Sequence, residues 1–236
     1  MHQHINKRRR RGATQMIFDI IHQALDTHNF FKVDENDTTS FYIRENGTAI
    51  RFAVLHRLDN LMKPSDLNAI INQSAPLAFI ADPAFKKNCD LICIHHLDKL
   101  AEFKNYEEQI FEIEEDPHFY KKYVLYYSDT EVEAIKELNF SKLNELISDK
   151  NQFDIYKNEP TAATKYSAAA KIFIKLPFLA LNINKMELLP LRLQIEEAVA
   201  EVDLTKTYET IKNYSQLNVE DLFKELISNE LENFQN

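Results

Sequence analysis

Phe111-Glu112-Ile113-Glu114-Glu115-Asp116-Pro117-His118-Phe119-Tyr120-Lys121-Lys122-Tyr123-Val124-Leu125-Tyr126-Tyr127 runs from alternating apolar and acidic residues through an acid cluster and a proline into aromatics interleaved with two lysines. The alternation from Phe111 to Glu114 has the two-residue period of a half-buried strand, so Gln109 to Glu114 is expected to be one. Pro117 cannot donate to a continuing ladder and marks a sharp corner. The aromatics beyond it need a surface to cover them, which predicts a second element. In that element Phe119, Tyr123 and Leu125 are expected to fill the core, with Lys121 and Lys122 facing water.

Outward from this block the pattern is α+β. Ile17, Ile20, Ile21, Ala24 and Leu25 repeat at helical spacing from Met16 to about Thr27. Phe41 to Ile43 and Ala49 to Leu55 flank Asn46-Gly47, a strong two-residue hairpin signal. Pro64-Ser65-Asp66 opens a short helix through Ile71, and Leu77 to Ala81 is a short apolar run. Leu91 to Leu97 reads as a buried strand. After Tyr127, Ser128-Asp129-Thr130-Glu131 supplies a helix start, followed by Val132, Ile135 and Leu138 and then by a helix over about Ser141 to Ile147. Asp149 to Lys165 is polar, carries Pro160 and is expected to connect two parts of the molecule. Beyond it, Ala168 to Ile174 is open to helix or strand, while Leu188 to Val202 and Val219 to Phe234 read as helices. The expected organisation is therefore a basic disordered leader at 1–15, an α+β domain at 16–150 with a small, mostly antiparallel sheet and packed helices, and a mainly α-helical region at 151–236.

At 236 residues and 44% hydrophobic, the chain can bury one sizeable core or two small ones. It has only two glycines, Gly12 and Gly47, so it has no glycine-rich loop through which backbone amides could reach a nucleotide phosphate. If the protein serves an ATP-driven assembly, a partner must supply the ATPase. Two cysteines, Cys89 and Cys93, are too few for a disulfide framework and read as buried thiols. No apolar run is long enough to span a membrane, and the N-terminal segment lacks the apolar stretch of a secretion signal, so a cytoplasmic location is expected. The net charge of -9 is unevenly spread, since residues 1 to 15 hold five of the 28 basic side chains and no acid. Lys7, Arg8, Arg9, Arg10 and Arg11 are candidates for nucleic-acid contact, against the plainer reading of a solvated tail or an upstream start before Met16. From Met186 onward eleven acids face four bases, which suits a basic partner.

A metal-dependent nuclease needs two or three carboxylates around a cation with a lysine nearby, and Asp90 with Glu112 and Glu114 is the best set available. The lysine is missing, because the second residue after Glu112 is Glu114 and the second after Glu114 is Asp116. His95 and His96 point to opposite faces of a strand and cannot share one metal. His22 and His28, six apart, are not a helical ligand pair. No serine or cysteine lies in a nucleophile motif. The chain is expected to be neither an enzyme nor a cofactor binder. The corner block instead has the residue types of an interface: Glu114, Glu115, Asp116, Phe119, Tyr120, Lys121, Lys122 and Tyr123 are the candidate partner contacts.

The corner block, together with Lys171-Ile172-Phe173-Ile174-Lys175-Leu176-Pro177-Phe178-Leu179, resembles the middle component of the bacterial ABC-three-component defence systems, the group that includes Lamassu and the Ddm plasmid-defence operons. The resemblance runs from about Met16 to the C-terminus. It implies a non-catalytic adaptor in anti-phage or anti-plasmid defence. It implies as partners an SMC-like or Rad50-like ABC ATPase, which senses foreign DNA, and an effector, often a nuclease, which the adaptor restrains. DNA would then be met mainly through the complex. A basic leader is not a feature the resemblance explains. Two other readings remain: a metal-dependent nuclease acting alone through Asp90 and Glu112, and a small DNA-binding regulator acting through Arg8 to Arg11.

Overall fold

A computed structural model describes residues 2–160, 162–181, 191–212 and 219–233. It divides into two compact units, Met1–Asn182 and Ile183–Asn236. The division lies after 182, whereas the polar stretch at 149–165 was expected to mark it. That stretch contains a helix, and the helix following it packs into the first unit's core.

The first unit opens with helix α1 (His2–Thr27), whose backbone takes in the basic leader expected to lack regular structure. Three strands follow, β1 (Phe31–Glu35), β2 (Thr39–Asn46) and β3 (Ala49–Arg57), then helices α2 (Pro64–Ser74) and α3 (Leu77–Ala81). Strand β4 (Cys89–Leu97), helix α4 (Phe103–Glu115) and strand β5 (Lys121–Ser128) complete the sheet. Helices α5 (Asp129–Ile135), α6 (Phe140–Ile147), α7 (Lys150–Asn158) and α8 (Lys165–Lys175) close the unit. The fold is α+β, as the pattern predicts.

The sheet order is β1-β2-β3-β4-β5. The first two pairings are antiparallel and the last two parallel, so the sheet is mixed where antiparallel pairing was expected to dominate. The cause is α4. Residues 109–114 lie in this helix and not in a strand: Ile110 and Ile113 are buried while Phe111 is 40% exposed. Four residues of apolar-acidic alternation coincided with a helical stripe that begins at Phe103 and continues through Ile110 and Ile113. As a helix, this segment is the crossover that a parallel β4–β5 pair needs.

Strand alternation divides the core between the two faces of the sheet. Tyr42, Ala53, Leu55, Ile92, Ile94, Leu125 and Tyr127 pack with α1, α5, α6 and α8. Phe41, Phe52, Val54, Leu91, Cys93 and Val124 pack with α2, α3 and α4. The run Leu91-Ile92-Cys93-Ile94 is apolar at every position because β4 is covered on both faces. Both cysteines are buried free thiols, and burial pushes Cys93 up to about 12. At the hairpin Gly47 has φ +60, and a Cβ there would meet nothing within 4 Å, so the left-handed backbone and not space selects glycine. Ser128 and Glu131 form the capping box that starts α5.

The second unit comprises α9 (Leu191–Glu201), α10 (Thr205–Lys212) and α11 (Val219–Asn233). Glu196 accepts from Arg192 at 2.8 Å and from Lys212 at 3.1 Å, joining α9 to α10. The helices expected at 188–202 and 219–234 correspond to α9 and α11, with residues 188–190 and 234 outside the described residues and Val202 in a turn, while α10 is an additional helix.

Candidate interaction site

The corner block is held together from within. Asp116 ends α4, and its carboxylate receives Lys122 Nζ at 2.8 Å, His118 Nδ1 at 2.8 Å and Asn68 Nδ2 at 3.2 Å. Burial pushes the Asp116 carboxyl up, but these three hydrogen bonds and the Lys122 charge outweigh it and hold it well below the usual carboxylate range. The Lys122 side chain is wholly buried and also donates to the carbonyls of His118 (2.6 Å) and Tyr120 (3.2 Å). It therefore satisfies main-chain acceptors that the corner leaves without helix or ladder partners. Lys122 was expected in water; it is the pin of the corner.

Its neighbours differ in the same way. Tyr120 is buried and donates to Asn72 Oδ1 at 3.0 Å. Phe119, expected in the core, adopts φ +64 and is 46% exposed, with Lys86 Nζ 4.8 Å above its ring. The positive φ turns the chain by one side-chain position, so Lys122 and Val124 face the α2–α4 side while Leu125 and Tyr127 face the other. Glu115 and Lys121 are exposed and Tyr123 is half-buried. A shallow cavity of about 470 Å³ opens beside the corner, lined by Asn68, Asn72, Asp116, His118 and Phe119.

A second set of contacts closes the outer edge of β5. Glu114 Oε1 accepts the outward amide of Val124 at 2.7 Å and pairs with Lys175 Nζ. Lys171 Nζ donates to the outward carbonyl of Tyr126 at 3.3 Å and pairs with Glu131 at 2.6 Å. Burial pushes the Lys171 ammonium down, against the pull of Glu131, whose carboxylate is itself buried. The corner block and the helix α8 are thus fastened to each other around one sheet edge.

The remaining candidates are dispersed. Asp90, on β4, binds Arg51 through Nε (2.8 Å) and Nη2 (2.7 Å), while Glu112 is exposed on α4 and Glu114 faces Lys175. Among the described residues no group of three or more His, Cys, Asp or Glu is placed to hold a metal. His95 is buried with Nδ1 2.8 Å from the Leu58 carbonyl, and His96 meets Asp129 at 2.9 Å, so each histidine has a separate structural partner. Both border a cavity of about 640 Å³ at the C-terminal ends of β3 and β4, where Arg57 pairs with Asp59 at 3.2 Å. His22 is hydrogen-bonded to Tyr42 and His28 to the Ala24 carbonyl. Of Lys7, Arg8, Arg9, Arg10 and Arg11, the backbone is helical, and their side chains lie outside the described residues.

Residues 50–151 match the family described as ABC-three component (ABC-3C) system Middle Component 1. The matched span runs from β3 to the start of α7 and contains the whole corner block. It is a little under half of the chain, and residues 171–179 lie beyond it. Over this span the chain is similar to an ABC-three-component middle component. No curated protein and no solved structure matches the chain. Among the described residues no helix is long and apolar enough to cross a membrane.

Proposed function

We propose that this chain is the non-catalytic adaptor of a Lamassu- or Ddm-type ABC-three-component assembly. It bridges an SMC-like or Rad50-like ABC ATPase and an effector nuclease, restraining the effector until foreign DNA is sensed, and it works in the cytoplasm against phage or plasmid. The observation that carries this reading is the match of residues 50–151 to a middle component.

The surface chemistry supports it. Of the eight candidate partner contacts, Glu115, Phe119 and Lys121 are exposed. In the second unit Leu193, Ile195, Ile211, Phe223 and Ile227 are exposed on short helices and Leu204 between α9 and α10, and exposed apolar surface of this kind marks interaction sites. The acidic surplus beyond Met186 adds complementarity to a basic partner.

The test is co-purification of a tagged full-length copy expressed from its native operon, read by mass spectrometry. Recovery of a coiled-coil ATPase and a second effector at fixed stoichiometry is the expected result. Recovery of this chain alone, with metal-dependent cleavage of DNA by it, would overturn the reading.

A further inference from the structure

Arg44 on β2 and Arg51 on β3 stand directly opposite each other in the hairpin register. Like charges in that position repel, so they persist where something offsets them. Both side chains are half-buried and held by contacts within the fold. The Arg44 guanidinium lies 4.6 Å above the buried Phe30 ring, and its Nη1 is 3.5 Å from the His28 carbonyl. Arg51 is fixed by its two contacts to Asp90, a carboxylate whose side chain is 2% exposed. Strand parity places Arg44, Arg51 and Asp90 on the face that α1, α5, α6 and α8 cover elsewhere. Lys121 pairs in register with Asp90 and extends the row onto β5. The row lines a cavity of about 310 Å³, to which the loop before β4 contributes Lys87.

Four cations thus surround one carboxylate that is already engaged by Arg51, in a chain whose overall charge is -9. The other polar side chains of the cavity, Asn46 and Asn88, add amide donors. Arg51 turns its Nε and Nη2 to Asp90, so the Arg44 guanidinium, the remaining Arg51 Nη1, two ammonium groups and amides supply donors from several directions. A carboxylate is satisfied by a single fork, whereas a tetrahedral phosphate can accept from a fork, a further guanidinium N–H and a lysine together. Holding the arginines in place beforehand lowers the ordering cost of binding.

We infer that this basic shelf is a phosphate-binding site. The phosphate comes either from a nucleic-acid backbone or from a free phosphorylated small molecule. The site is independent of the adaptor reading and requires no partner subunit.

The experiment uses the full-length chain and its Lys87→Gln/Lys121→Gln variant, in which both altered side chains are exposed, with Arg44→Gln as a second variant. A fluorescent duplex and a single-stranded oligonucleotide are titrated by anisotropy at several salt concentrations. Thermal stability is measured with pyrophosphate, ATP and poly-glutamate. A nucleic-acid source predicts binding that weakens about tenfold or more in the double variant, with the log–log salt slope smaller by about 2. A free source predicts little oligonucleotide binding but a pyrophosphate- or ATP-dependent rise in Tm that both variants lose. Oligonucleotide binding equal in all three proteins together with no variant-sensitive rise in Tm from pyrophosphate or ATP, or stabilisation by poly-glutamate equal to that by pyrophosphate, overturns the inference.

Discussion

At one edge of the sheet, β5 has outward main-chain groups taken by Glu114 and Lys171, whose ion pairs bring α4, α5 and α8 together around the strand. At the other edge, β1 exposes every one of its five side chains, including Phe31 and Val33. There the register shifts between Lys32 and Asp34, and Lys32 pairs only with its neighbour Glu35 at 2.8 Å. Both arrangements discourage a foreign strand from adding to the sheet. The β1 arrangement is local and made of solvated charges. The β5 arrangement is buried and non-local, and it joins helices from opposite faces of the sheet. Charged residues in a motif can therefore be framework as well as docking surface, and burial separates the two cases.

The sharpest way to break this contrast is Lys122→Met. It removes a fully buried ammonium, strips Asp116 of its charged partner and leaves two corner carbonyls without their donor. Breaking a buried pair from one side typically costs about 3–5 kcal/mol, so chemical denaturation should show a large loss of stability. A change under about 1 kcal/mol would mean that the corner does not depend on this lysine. Glu114→Ala is expected to cost about 1–3 kcal/mol, because the Val124 amide and Lys175 lose their acceptor together.

Acid should act on the two halves of the sheet in different windows. His56 on β3 is hydrogen-bonded to Thr39 on β2, and burial pushes its pKa down to about 4 from 6.5. A histidine held down in the folded state favours folding at neutral pH, and that contribution is lost as pH falls from 6.5 to 4. By pH 5 the loss is about 2 kcal/mol. Thermal melts from pH 7 to 5 should show this fall and a smaller one in His56→Gln; His22 and His95, also pushed down by burial, leave a residual slope. Asp116 acts in the same direction but in a lower window. Its carboxyl is held low in the fold, so its contribution is complete above its ordinary value of 3.8 and is lost only at lower pH. The smallest effect is expected at the open edge, where Lys32→Ala should change stability by less than about 0.5 kcal/mol.

What the sequence made legible was local. Asn46-Gly47 marked its hairpin, Ser128 to Glu131 marked a capped helix, and the repeat from Ile17 to Leu25 marked the buried face of α1. What it hid was set by distant partners. Phe111 to Glu114 alternates like a strand, and only the burial of Ile110 and Ile113 against the α2–α4 core shows the helical stripe. Lys122 reads as a surface lysine until Asp116, six residues earlier, folds back across Pro117. Lys171 and Lys175 look like the polar face of a helix, yet each meets a carboxylate about 40 or more residues away in sequence. An acid shortly before a proline and a lysine soon after it is the one local signal that could have pointed to the pinned corner.

Hydrogen exchange read by mass spectrometry on peptides spanning residues 31–35 and 121–128 tests the contrast between the edges most directly. The account predicts that β5, although an edge strand, exchanges only as slowly as the core opens, that β1 exchanges much faster, and that Glu114→Ala selectively speeds the β5 peptide. Equal exchange at the two edges, or a β5 peptide unaffected by Glu114→Ala, would contradict it.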